Sequence, residues 1–523
     1  MIRRLSTGDR GAASVPAVIA GFTAGALVMA LALVEIVPSD RVQGLQAGGT
    51  TGSTVTGSGP QESLAPGETR GPNAPGASNA PGGGGGGTNN GGGAPGASGG
   101  PSGPVIPPSK FECRADKNGG ATDRGVTANS ISLATTIVAS GIGSAFLGEM
   151  KHAMEAVTEQ VNRAGGICGR KLVIETRDDG WDASTGAQYL RNYINDRSKF
   201  GIPVGASSEG LGVVIDSGDL DKAQFPVVGS DGLAINQYLN KQGQAQPWVW
   251  PIATATVSEA RIMASEAYKR GARNFGVVFD RDYHFGKEAA AAYSAEVERL
   301  TGKPVLGYNT NNTCNQRFCG IAAGQNSYSG DAAKFKASNP DFVALFLEPE
   351  TALTWMQDPN TPSATDKAIK YGYGGAQPLF TKQFESQCRE KCDQMVVWSG
   401  FKPNVEKYRN DPAVAAYVRA LKAKYRQADE FNQFTQSAYV GMQFLVEALK
   451  RVGPELTRQR LKAVLDHMTY DNGLTLQGRL TFTPQTRFAN TTMQAFTMQY
   501  KGTPGGWRLG PIVKDPRPGV GVR

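Results

Sequence analysis

Residues 161–179 read Val161-Asn162-Arg163-Ala164-Gly165-Gly166-Ile167-Cys168-Gly169-Arg170-Lys171-Leu172-Val173-Ile174-Glu175-Thr176-Arg177-Asp178-Asp179. Just upstream, Phe146, Met150, Met154, Val157 and Val161 recur every three or four residues, the apolar stripe of a helix laid on a core. Gly165-Gly166 suits that helix's C-terminus. Gly169-Arg170 turns the chain, and Lys171 to Thr176 then reads as a strand. A second β-rich run, Ile131 to Val138, lies before the helix.

Outward from this stretch the alternation continues. A helix carries Leu190 and Ile194, a short apolar strand spans 201–204, and Ser207-Ser208 opens another helical segment. Phe225 to Val228, Asn274 to Phe279 and Asp341 to Leu347 read as buried strands, with helices over 257–270, 286–300 and 350–357. Helices dominate from Asp411 to His467, and strands near 479–483 and 494–500 follow. Such alternation implies an α/β fold of parallel sheets with helices on both faces. In open parallel sheets ligands bind beyond the carboxyl ends of the strands, so the loops there are where function is sought. No repeat of 20 to 50 residues, which would mark a solenoid or propeller, is visible.

The chain has 523 residues and a formal net charge of +8. Before Lys110 five arginines (3, 4, 10, 41 and 70) cancel five carboxylates (9, 35, 40, 62 and 68), so the excess falls on the remainder. Lys and Arg are scattered there without a dense basic run, which argues against nucleic acid as a partner. Residues 38–109 are rich in Gly, Pro and Ser and poor in large apolar side chains, the composition of a disordered linker. With Gly-rich statistics its reach is about 45 Å. Residues 15–37 are apolar over roughly 22 positions, near one bilayer crossing, and follow Arg3, Arg4 and Arg10. They are expected to form a transmembrane anchor with residues 1–14 cytoplasmic and the body extracytoplasmic; Ala30 and Ala32 leave cleavage open. Six cysteines fit an oxidising compartment. Cys314 with Cys319 and Cys388 with Cys392 flank short loops, which leaves Cys113 for Cys168. Zinc spacing is lacking, so no metal or cofactor is expected.

The 161–179 stretch resembles the N-x-x-G-G-I-x-G-R-x(5)-R-D-D pattern of the Leu/Ile/Val-binding receptor family, the substrate-binding subunits of some ABC importers. Ala206-Ser-Ser-Glu-Gly210, Phe225-Pro-Val-Val228, Asp282-Tyr-His-Phe-Gly-Lys287, the 342–347 strand and the 472–482 run are similar to later landmarks of that family, in order. The resemblance implies a two-lobed type I periplasmic-binding-protein fold with a hinge between lobes. Lobe one would comprise 110–252 and 398–470, and lobe two 253–397 and 471–523. It implies a small-molecule solute held between the lobes, with membrane permease and ATPase subunits as partners.

Ser207 and Ser208, on a loop that opens a helix, suit an anionic group through backbone N–H groups, hydroxyls and the helix dipole; one of them is equally an N-cap. The second binding loop is Gly229-Ser230-Asp231-Gly232. Asp231 repels a bound carboxylate and suits a cationic or polyol ligand, or solvent. Phe285 stands where the family has Tyr, and Tyr283 or His284 is placed to replace the missing hydroxyl. Glu348 follows a buried strand and could anchor an ammonium, with Gln377 and Tyr373 as further candidates. Trp181 is either a cleft wall or packing.

A sensor working through a partner chain, or an envelope interaction protein without a ligand, are the alternatives to solute capture. Catalysis is not expected. Ala206-x-Ser208-x-Gly210 has the outline of a nucleophile elbow, but a triad needs His, and His152, His284 and His467 are the three in the chain.

Overall fold

The computed structural model describes residues 113–500 and 506–522, so the anchor and linker expected over 15–109 lie outside the described residues. Strand β1 (Ser130–Ile137) leads through a short helix α1 (Ser144–Leu147) into α2 (Met150–Arg163), and β2 (Lys171–Asp178) returns parallel to β1. The single helix expected from Phe146 to Val161 is divided at Gly148, a residue that forfeits backbone entropy in a helix.

The signature stretch is a set of clamps. Asn162 holds Leu172 from both sides, its Nδ2 donating to Leu172 O at 2.8 Å and its Oδ1 accepting from Leu172 N at 2.7 Å. Gly166 has φ +77°, and a Cβ there would lie 2.1 Å from Arg170 O. Arg170 is 1% exposed and donates to the carbonyls of Thr127, Pro454, Asn118 and Gly120. Its buried charge is thus spread over four backbone dipoles.

The chain continues through α3 (Ala183–Asn195), β3 (Ile202–Pro203), α4 (Ser208–Asp216), α5 (Asp219–Ala223), β4 (Val227–Ser230) and β5 (Val249–Pro251). β3, β4 and β5 are parallel. Phe200 N donates to Ser132 O at 2.8 Å and Ala134 N to Gly201 O at 3.2 Å, which stitches the lead-in of β3 to β1. The first lobe is therefore built on the spatial order β2-β1-β3-β4-β5.

Seven further elements alternate into the second lobe: α6 (Thr256–Lys269), β6 (Phe275–Asp280), α7 (His284–Thr301), β7 (Phe318–Ile321), α8 (Ser329–Ala337), β8 (Phe342–Phe346) and α9 (Pro349–Gln357). β9 (Gly372–Gly375), α10 (Lys382–Cys388) and β10 (Val396–Ser399) complete its parallel part. Helices α11 (Pro412–Lys424), α12 (Gln433–Val452) and α13 (Arg458–Leu465) follow, and α12 packs on α2 and β4 of the first lobe. A two-strand pair, β11 (Thr469–Tyr470) with β12 (Leu480–Thr481), precedes β13 (Thr492–Gln499) and β14 (Gly506–Lys514). The second sheet has the order β14-β13-β10-β9-β8-β6-β7, with β13 and β14 antiparallel. Apolar clusters bury both of its faces, which is why β6 and β8 are continuous apolar runs.

Three segments connect the sheets: β5 to α6, β10 to α11, and β12 to β13. Where they meet, Thr254 bridges Asn490 and Phe401 bridges Thr475. All described residues belong to one compact unit. The disulfides are Cys113–Cys168, Cys314–Cys319 and Cys388–Cys392, the pairs expected from spacing. Among the described residues no helix is long and apolar enough to cross a membrane.

Candidate functional site

Two backbone outliers mark the loops where the lobes meet. Val204, directly after β3, has φ +63°, and Trp181, after β2, has φ +66°. A β-branched or bulky side chain in the left-handed region is strained, and such strain collects at functional loops. Asp179 holds both loops. Its Oδ1 accepts from Ser207 Oγ at 2.9 Å and from Trp181 N at 3.0 Å. The Trp181 indole N–H in turn donates to Ser208 Oγ at 3.2 Å. The two serine hydroxyls, expected to face an anion, thus brace Asp179 and Trp181. Glu209 stands in α4's first turn, where an acidic residue suits a helix N-terminus.

So braced, Trp181 reaches the second lobe. Its ring stacks on Tyr283 with centroids 4.0 Å apart and planes at 14°, and Phe285 lies 5.9 Å beyond. Phe146 meets its edge at 5.4 Å. Tyr283 stands at the N-cap of α7, and the next residue adds a polar contact: Glu209 Oε1 accepts from His284 N at 2.9 Å, and Glu209 Oε2 lies 2.6 Å from His284 Nδ1. The hydrogen bond to Glu209 raises the His284 pKa above its ordinary value. Two further links close the seam. Thr256 Oγ1 donates to Leu233 O at 3.1 Å, and Ile235 N donates to Glu288 Oε2 at 2.7 Å. The lobes are therefore in contact across loops that all lie at the carboxyl ends of strands.

Asp231 is 2% exposed. Its Oδ1 accepts from Gln237 Nε2 at 2.8 Å and Leu233 N at 3.2 Å, while Oδ2 and the neighbouring Ser230 Oγ are buried without a partner. Burial pushes the Asp231 carboxyl up to about 7. Gln377 is buried beside Glu259 on α6 and bonds to it; burial lifts Glu259 to about 8.

Other candidates have local duties. Glu348 is the N-cap of α9, with Oε2 accepting from Glu350 N at 2.7 Å and Oε1 from Thr351 N. Its own N–H donates to Asp280 Oδ2 at 2.6 Å, and burial together with the neighbouring carboxyl raises the Asp280 pKa. Both Glu348 oxygens are engaged by its helix, so its fit to a ligand ammonium is poor. Gly229 lies against α12, where a Cβ would meet Gly441 Cα at 2.5 Å. Tyr373 is buried at 1% exposure.

The structure thus brings Ser207, Ser208, Ser230, Asp231, Tyr283, His284 and Phe285 to one seam, with Gln377 on its α6 side. Reading by pattern missed Glu209, Glu259 and Asp179 as site residues. Glu209 and Asp179 stood inside quoted motifs, but nothing in a linear motif says that Glu209 meets His284 across 75 positions. Glu259 sits in an ordinary helical stretch and gives no signal.

Two sheet-based lobes, connected by three segments and touching over strand-end loops, define a two-lobed binding-protein architecture. The chain belongs to the periplasmic binding protein family, whose model matches residues 130–504. A substrate-binding periplasmic protein from Ralstonia solanacearum superposes with a TM-score of 0.60 at 16% identity, covering 72% of this chain and 99% of the other. A fatty acid ABC transporter substrate-binding protein from Thermomonospora curvata gives 0.59 at 17% identity, covering 75% and 94%. The branched-chain amino acid transporter substrate-binding protein LivJ from Streptococcus pneumoniae, in complex with isoleucine, gives 0.55 at 15% identity, covering 74% and 100%. These likenesses show the fold that the sequence resemblance implied. No curated protein sequence matches the chain.

Proposed function

We propose that this chain is an extracytoplasmic solute-binding protein that captures a small polar solute between its lobes and delivers it to the permease and ATPase of an ABC-type importer. The observation that carries this reading is the seam itself. The strained loop of Trp181 meets Tyr283 of the other lobe, Glu209 meets His284, and Ser230 and Asp231 close by keep buried polar atoms without partners. Buried groups without partners are costly, so a site that retains them suits a ligand that supplies the missing bonds. The family and the named importer subunits that share the fold point the same way.

In this reading the lobes correspond to 110–252 with 398–470 and to 253–397 with 471–523. Residues 15–37 anchor the body to the membrane and 38–109 tether it, which raises its effective concentration at a permease. The function is binding rather than catalysis: Ser208 pairs with Trp181 and His284 with Glu209.

The test is a thermal-unfolding screen of the purified chain against amino acids, amides, amines, sugars and carboxylates. A ligand at 100 times its Kd adds about 2.7 kcal/mol of stability. A saturable shift with one chemical class, lost in Trp181→Ala, is the expected result. A cooperatively folded protein that no solute shifts would overturn the proposal.

A further inference from the structure

Several buried carboxylates away from the seam have guanidinium partners. Asp466 pairs with Arg487 at 2.8 Å, Asp515 with Arg261 at 2.6 Å, and Glu296 with both Arg299 at 2.6 Å and Arg517 at 3.1 Å. This is the ordinary way a fold tolerates buried charge. At the seam the partners are different. Glu209 has His284, Glu288 has the Ile235 N–H, and Asp280 has the Glu348 N–H. Asp231 has Gln237 and Leu233 N, and Glu259 has Gln377. Each seam carboxylate is thus met by an amide or an imidazole.

Along the seam Asp179 Oδ2 and Asp280 Oδ1 are buried without a partner, and so are Ser230 Oγ, Asp231 Oδ2 and Glu259 Oε1, on residues 0%, 2% and 1% exposed. These last three belong to neighbouring elements. The loop after Asp231 is tied to α6 by the Thr256–Leu233 bond, and Glu259 lies three residues along the same helix. Tyr238 feels both carboxyls, while its own hydroxyl donates to Ala253 O at 3.0 Å and so serves neither. The serine loop, which could have received an anionic group, is committed to Asp179 and Trp181.

We propose, resting on the solute-binding reading above, that the ligand is an organic cation with at least two N–H donors, a diamine or guanidino compound, held between Asp231 and Glu259 with Ser230 beside it. The formal charge of the chain is +8, so overall charge does not recruit such a cation; local buried carboxylates must. Burial has pushed Asp231 up to about 7 and Glu259 to about 8. Entry of a cation would therefore drive protons off these carboxyls. Glu209 on α4 adds negative field at Asp231, and His284 and Glu288 on α7 lie beside Glu209.

The experiment is isothermal titration of the purified full chain with 1,4-diaminobutane and 4-guanidinobutylamine, beside leucine and succinate, in two buffers of different ionisation heat. The expected result is saturable binding of an amine probe, with proton release at pH 7. Asp231→Asn and, separately, Glu259→Gln should each weaken it at least tenfold while retaining cooperative unfolding. Leucine or succinate binding where neither amine does would overturn the cation assignment and leave the solute-binding reading intact. Amine binding undiminished in both variants would equally overturn it. Absence of binding by every solute class would remove both readings.

Discussion

At the scale of single residues, the decisive asymmetry lies within one carboxyl: Asp231 Oδ1 is bonded twice and Oδ2 not at all. Asn at this position keeps an oxygen for Gln237 and Leu233 and places an uncharged NH2 where the orphan oxygen lies. By removing the buried negative charge, Asp231→Asn is expected to make the empty protein more stable at pH 8, by about 1–3 kcal/mol. A denaturant titration at that pH checks it, and a loss of stability would show that the second oxygen has a structural partner. The pH dependence has a definite sign. Carboxyls such as Asp231, Glu259 and Glu288, lifted to about 7, about 8 and about 7, titrate near 4 when unfolded. Between those values the folded state holds more protons than the unfolded chain, so their effect on stability declines as pH rises. His284, raised by Glu209, acts in the same direction: its contribution is full below about 6.5 and is lost through its folded pKa. The melting temperature of the empty protein should fall from pH 5 to pH 8, less steeply in Asp231→Asn; a profile rising over that range would contradict this. Legibility at this scale was partial. The hydroxyl pair at 207–208 and the acid at 231 could be picked out by their place after strands. Which atoms they bond depends on Trp181 and Gln237, whose approach no local pattern encodes.

Elements were read best where many apolar residues repeat. β6 and β8 are apolar runs buried on both faces, and α2 carries a full stripe, so period and length sufficed. β9 is Gly-Tyr-Gly-Gly, with almost no strand propensity. It is a strand because β8 and β10 leave it a slot, and a Cβ on Gly374 would lie 2.8 Å from the Phe342 ring. The three- and four-residue strands β5, β7 and β10, too short to show a period, and the nine-residue β14 went unread as well. Close backbone approach is likewise invisible in sequence until two glycines meet. Gly441 on α12 and Gly229 in β4 are such a pair, a Cβ on Gly441 falling 2.4 Å from Gly229 O. Gly441→Ala should destabilise by about 3 kcal/mol through overpacking, measured by chemical denaturation, with ligand affinity weakened because Ser230 and Asp231 ride on the same strand end. Unchanged stability would mean that α12 and β4 can separate without loss.

For the whole molecule, the state of the seam is the observable. The Trp181–Tyr283 stack and the Glu209–His284 contact are local links between large bodies, and an aromatic pair is worth only about 0.5–1.5 kcal/mol beyond the area it buries. Trp181→Ala should shift the population toward separated lobes. Small-angle scattering would register a larger radius of gyration than for the parent chain, and identical curves would show that other contacts hold the lobes together. The overall architecture of two α/β lobes could be anticipated from the 161–179 stretch because its Asn162–Leu172 clamp and Gly166 turn are local in sequence. The relative placement of the lobes could not, since it rests on contacts such as that of residue 209 with residue 284.

The Cys113–Cys168 bond bridges 55 residues, and removing it by paired substitution to Ser should cost roughly 4 kcal/mol on loop entropy alone, read as a drop in melting temperature that reductant reproduces in the parent. Its location has a mechanical meaning as well. A pull applied to the chain at Cys113 passes through sulfur to Cys168, at the turn that Arg170 staples to four carbonyls, and so is borne as shear by the β2 edge of the first lobe. The load path bypasses all three connecting segments. Tension on the N-terminal side is therefore expected not to bias the seam toward open or shut.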